Sequence, residues 1–99
     1  MPAENQSTDF VKVFKYDNST QCAKDGITLE TMQLELENLG IDVSCAQKGD
    51  DGMMRPMVCG APSGKLNVYK IPADNVADAE AAGFKPVSEL KGFRDKPCR

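Results

Sequence analysis

The hydrophobic pattern changes period along the chain, and each change marks an element. Phe10-Val11-Lys12-Val13-Phe14-Lys15-Tyr16 is rich in β-branched and aromatic residues and predicts a strand. Leu29, Met32, Leu36 and Leu39 then recur at helical spacing and predict a helix with one apolar stripe. Thr28 is its expected N-cap, Glu30 sits in the positive first turn, and Gly40 is the expected left-handed stop. Leu34 falls off the stripe, as single surface leucines commonly do. A second alternating run, Leu66 to Ile71, follows a Gly/Pro turn (Gly60, Pro62, Gly64) and ends at Pro72.

The remaining segments read less sharply. Ile41 to Gln47 predicts a strand with Ile41, Val43 and Cys45 on one side, and Lys48 to Gly52 reads as a hairpin turn. Met53 to Cys59 predicts a third strand, which Pro56 confines to an edge or a bulge because proline has no N–H to donate. Ala73 to Ala82 is a short helix of small residues stopped by Gly83. Residues 1–9 form a polar lead expected to be disordered. Residues 84–99 form an irregular tail in which Phe84, Val87, Leu90 and Phe93 recur at every third position. The expected fold is a single α+β domain over residues 10–99, in the order β-α-β-β-β-α. It has a mostly antiparallel four-stranded sheet, two helices and disulfide staples.

Composition sharpens this picture. Ninety-nine residues make one domain, and only 20 of them are Leu, Ile, Val or Phe, so the core is lean. The four cysteines, Cys22, Cys45, Cys59 and Cys98, offset that deficit, since one disulfide stabilises by about 2–4 kcal/mol. An even count in a small acidic chain implies an oxidising compartment, hence a periplasmic or secreted protein. The polar stretch before Phe10 has no signal-peptide pattern, so an exported form would be a mature one. No run reaches the ~20 apolar residues that span a bilayer, which implies no membrane insertion.

Several chemistries are disfavoured by residue type and spacing. Structural zinc needs close cysteine or histidine pairs, whereas here the cysteines are separated by 22, 13 and 38 residues and histidine is absent. Without histidine the commonest general base is missing, so no catalytic residue is assigned. A small hydrolase-like enzyme without histidine is the third functional reading. Gly60-Ala61-Pro62-Ser63-Gly64-Lys65 departs from a phosphate loop in spacing and is followed by a strand rather than a helix. The α-β-β-β-α core is similar to that of double-stranded-RNA-binding domains. However, the second helix begins with an acidic segment and the net charge is −3, so nucleic acid is not an expected partner. Met53, Met57 and Cys59 would share one face of the third strand, and thioethers with a thiolate select Cu(I). Soft-metal binding is therefore the alternative function; otherwise no cofactor is expected.

Two further expectations follow from the predicted strands. A hairpin around Lys48–Gly52 would separate Cys45 from Cys59 along the ladder. That leaves Cys22–Cys59 with Cys45–Cys98, or Cys22–Cys45 with Cys59–Cys98. Both faces of the sheet carry apolar residues, and Phe14, Tyr16, Met57, Leu66 and Val68 form a candidate interaction face. Either a partner covers the second face or the tail does. Coverage by the tail is the expected arrangement, and it makes the protein a monomer.

The segment Cys59-Gly60-Ala61-Pro62-Ser63-Gly64-Lys65-Leu66-Asn67-Val68-Tyr69-Lys70-Ile71 carries the motif C-G-x-P-[ST]-G-x-x-N-V-Y-x-I. With Cys22 and the helix Ile27 to Gly40, it resembles a group of small Gram-negative bacterial proteins to which no activity is assigned. The likeness covers about half the chain. It implies export and a Cys22–Cys59 bridge, which would leave Cys45 to Cys98. The functional expectation is a small exported, non-catalytic binding domain, inhibitor- or immunity-type among its forms, acting on a protein or envelope partner.

Overall fold

The computed structural model describes residues 9–96. The expected lead therefore lies outside the described residues except for Asp9, whose carbonyl accepts from the Ala73 N–H at 3.0 Å. Among the described residues, four strands and two α-helices run in the order β1 (Phe10–Tyr16), α1 (Leu29–Glu37), β2 (Cys45–Asp50), β3 (Lys65–Pro72), α2 (Val76–Ala81) and β4 (Lys85–Pro86), with 3-10 turns at Ala73–Asn75 and Val87–Glu89. The strands form one antiparallel sheet in the order β2-β3-β1-β4. β3 and β1 are its inner strands; β3 pairs with β1 from Phe10↔Pro72 to Tyr16↔Leu66 and with β2 from Cys45↔Lys70 to Asp50↔Lys65.

The period-two alternation of β1 and β3 divides their side chains between two cores. Val13, Tyr69 and Ile71 face the helices and are buried with Met32, Leu36, Ile41, Ala79 and Phe84. Thr28 caps α1 through its side chain, which accepts from Thr31 N–H. Two buried polar side chains of β3 fix the start of that helix. Tyr69 Oη donates to the Leu29 carbonyl at 2.7 Å, and Asn67 Nδ2 donates to Ile27 O at 2.9 Å. These bonds offset the cost of burying the Tyr69 hydroxyl and the Asn67 Nδ2 group, while Asn67 Oδ1 is buried without a hydrogen-bond partner among the described residues.

Phe14, Leu66 and Val68 occupy the opposite face and are buried beneath Val87, Leu90 and Phe93 of the tail. Lys12 ties the tail further along, bonding Asp95 at 2.6 Å and the Lys96 carbonyl at 3.0 Å. Phe84 does not join this cover. It turns to the helix side and meets Tyr69 edge-on at 5.9 Å.

Four expectations are corrected. The second strand is Cys45–Asp50, not Ile41 to Gln47, and Lys48 to Gly52 is no hairpin turn, because Lys48, Gly49 and Asp50 pair with Asn67, Leu66 and Lys65. Lys48 is held there by a 2.8 Å ion pair to Asp17. At Gly49 a Cβ would stand 3.1 Å from the Phe93 ring, so bare backbone suits the site. Tertiary contacts thus outweigh poor strand propensity.

Met53 to Cys59 is not a strand but part of a loop joining β2 to β3. Pro56 removes a ladder donor, and Gly52 and Gly60 both adopt left-handed backbone, with φ of 71° and 91°. The fourth strand is instead the short pair Lys85–Pro86 in the stretch expected to be irregular. Pro86 suits that place, because β4 lies at the sheet edge and needs no donor on its outer side.

A candidate interaction loop

The loop between β2 and β3 is tied down at its root and again near its far end. At the root, Asp51 N–H donates to the Gly64 carbonyl at 3.1 Å and closes the base. The buried Asp51 carboxylate accepts from Tyr16 Oη and from Met53 N–H, both at 3.0 Å, and pairs with the Arg55 guanidinium. Gly64 makes room for this cluster: its φ is 79°, and a Cβ there would lie 2.6 Å from Arg55 Nε.

The far end is held by residues that precede α1. Cys22 and Cys59 form a disulfide with a Cα–Cα distance of 5.1 Å. Next to it, Gln21 uses its whole complement of polar groups on the loop. Its N–H donates to Ala61 O at 2.8 Å, and its carbonyl accepts from Gly60 N–H at 3.1 Å. Its side-chain Nε2 donates to Pro56 O at 3.1 Å, and its Oε1 accepts from Val58 N–H at 2.9 Å. The amide of Gln21 therefore grips the chain on both sides of Met57.

Between these anchors the apolar side chains point to solvent. Met53 is 66% exposed, Met54 99%, Met57 93% and Val58 50%. A fixed loop displaying several large apolar side chains is uncommon on a protein surface, and contiguous apolar patches are a feature of interaction sites. Methionine suits such a role, since its unbranched thioether adapts to the shape opposite.

Asp17 forms a second buried carboxylate beside the root. Its oxygens accept from Ser19 N–H and from Lys48 Nζ, each at 2.8 Å. Ser19 and Ser63 share a 2.6 Å hydroxyl–hydroxyl bond, which joins the segment after β1 to the end of the loop. Both buried carboxylates are thus engaged by cations and N–H groups, a structural arrangement.

Burial alone would push the carboxyl of Asp17 up, but hydrogen bonds from Lys48 and Ser19 outweigh it and leave the pKa below the usual value of 3.8. Asp51 behaves alike. Burial raises it, and the Met53 N–H, the Tyr16 hydroxyl and Arg55 together bring it below 3.8. A carboxyl whose folded pKa is depressed contributes stability that is complete above the unfolded pKa of ~3.9 and is lost as pH falls through the folded value. Urea midpoints should therefore be flat near neutrality and fall below about pH 4. Asp17→Asn and Asp51→Asn should each flatten that acid limb; an unchanged limb in both variants would show that other groups carry it.

The residues of the expected interaction face do not share one open surface. Phe14, Leu66 and Val68 are buried under the tail, because alternation places them on the face that Val87, Leu90 and Phe93 close. Tyr16 is partly exposed and engaged with Asp51, and Met57 stands on the loop. The proposed soft-metal set also changes. Cys59 is oxidised in its bridge and offers no thiolate, leaving Met53 and Met57. No cluster of three or more His, Cys, Asp or Glu able to hold a metal is found among the described residues. Cys45 is not a free thiol, and Cys98, its expected partner, lies outside the described residues.

Gln21, Asp51 and Arg55 were not among the residues singled out from the sequence. Gly52, Pro56 and Gly60 were the available signal, since three breakers in nine residues argue for a loop. No family model, no curated protein and no solved structure matches the chain.

Proposed function

We propose that the protein is a small non-catalytic binding domain of an oxidising compartment, periplasmic or secreted, and that the Asp51–Gly64 loop is its binding element. One observation carries this reading: Met53, Met54, Met57 and Val58 are held out to solvent on a loop fixed by a disulfide, by the Gln21 amide and by Asp51. Ordering a loop in advance removes much of the entropic cost of binding. Exposed apolar side chains on it then supply contact area without an ordering penalty. The disulfide fits an extracytoplasmic setting. No helix among the described residues is long and apolar enough to cross a membrane.

A photo-crosslinking residue at position 54 tests the proposal in the native envelope fraction. One discrete protein adduct is expected, and it should vanish when Met53 and Met57 are both replaced by serine. A ladder of adducts that the double replacement leaves unchanged would remove the loop from the interaction.

A further inference from the structure

We infer that the loop is built to occupy the substrate cleft of a serine endopeptidase with an apolar specificity pocket, and that Met57 is the side chain entering that pocket. This deepens the reading of the loop as the binding element and rests on it. A loop segment with its backbone clamped on both sides of one solvent-exposed apolar side chain is the complement of a cleft that reads a peptide backbone and one side-chain pocket.

Met57 is singled out by its surroundings, not by exposure alone. The Gln21 amide bonds Pro56 O at 3.1 Å and Val58 N–H at 2.9 Å, so the backbone is held immediately before and after it. Pro56 restricts φ on the leading side. Among the described residues, the backbone N–H and C=O groups of Arg55 and Met57 make no hydrogen bond within the protein. They remain available to pair with the backbone of a cleft, as an added strand does. Arg55 is a poor anchor for a basic-specific pocket, because its guanidinium is turned inward onto Asp51. Met54 is more exposed than Met57, and Asp51 bonds the residues on either side of it, but on the Arg55 side it holds only the side chain, whereas Met57 has its backbone held on both sides.

The same geometry explains why such a loop would inhibit rather than be consumed. Attack of the peptidase serine hydroxyl on the Met57 carbonyl carbon would break the Met57–Val58 C–N bond. The hydroxyl proton would pass through the peptidase base to the departing Val58 amine. That amine cannot diffuse away. It is held by Gln21 Oε1, and Cys59 beside it is bonded to Cys22. The acyl side is held by the other end of the same Gln21 amide, at Pro56 O, and separately by Arg55 on Asp51. Re-formation of the peptide bond, the reverse of those steps, then outruns water.

Titration of chymotrypsin, subtilisin and trypsin with the oxidised full chain, read by hydrolysis of chromogenic peptides, tests the assignment. Inhibition of at least one of the two apolar-pocket enzymes is expected, with trypsin spared. Met57→Asp, an exposed change that leaves the fold intact, should weaken inhibition by about a hundredfold. Gln21→Ala should turn the inhibitor into a substrate cut after Met57. Full activity of both chymotrypsin and subtilisin in excess chain would overturn the inference, as would inhibition that survives Met57→Asp. If the peptidases are untouched while the loop-dependent adduct in the envelope persists, the peptidase assignment falls and the binding role stands. If both are absent, the underlying reading falls with it.

Discussion

Replacing Cys22 and Cys59 together by serine will lower stability by about 4 kcal/mol, the loop-closure value for a bridge that spans a sequence separation of 37. Both cysteines are exposed, so serine buries no new polar group and the effect belongs to the cross-link alone. Domains of this size have a total stability of about 5–15 kcal/mol, so the loss is a large fraction of the whole. Urea unfolding of the oxidised protein and of the variant measures it. Hydrogen exchange should also accelerate at Met53 to Gly60 before it does in β1 and β3, because the bridge holds the loop while the sheet holds the core. A change of less than about 1 kcal/mol would mean that the Gln21 bonds suffice and the bridge is ornamental.

Phe84→Ala will cost about 3–5 kcal/mol, and Phe93→Ala only about 1–2, although the two lie nine positions apart in the same tail. Phe84 is fully buried against Tyr69 in the helix-side core, and its removal leaves a cavity that rigid strands are unable to close. Phe93 is partly exposed and lies at the rim of the second core, where water can fill the gap. The two variants should also differ in kind. Phe93→Ala should leave the fold intact and raise binding of a hydrophobic dye as Phe14, Leu66 and Val68 become accessible. Equal costs would mean that the two faces of the sheet are one cooperative core. Dye binding unchanged by Phe93→Ala would mean that Val87 and Leu90 cover the second face unaided.

Local patterns made the α+β frame legible. The run Phe10 to Tyr16, the stripe Leu29-Met32-Leu36 with its Thr28 cap, and the alternation of Leu66 to Ile71 each bury a face that their own period defines. Legibility ended where distant contacts decide. Lys48-Gly49-Asp50 looks like a turn by composition, yet Asp17 and Phe93 make it a strand end. Met53 to Cys59 looks apolar enough for a strand, but no neighbouring strand receives it, and its breakers bend it outward. The site was half legible. Met57 and Cys59 stood out by type, whereas Gln21 has no distinguishing neighbourhood in the sequence. Its importance arises only when the disulfide brings the segment before α1 against the loop.

The way the loop is held also separates two kinds of constraint on this sequence. Its shape depends on Gln21, Asp51, Gly64, Pro56 and one bridge; its display depends on Met53, Met54, Met57 and Val58, whose side chains belong to neither core. Changes at the display positions can therefore accumulate without eroding the fold, whereas a change at Gln21 or Gly64 alters every displayed side chain at once. Under the proposed binding role, such a division would let one scaffold follow a changing target through successive substitutions at the tip. A library varied at positions 53, 54 and 57 would sample recognition almost independently of folding, as a set of interchangeable heads on a common handle.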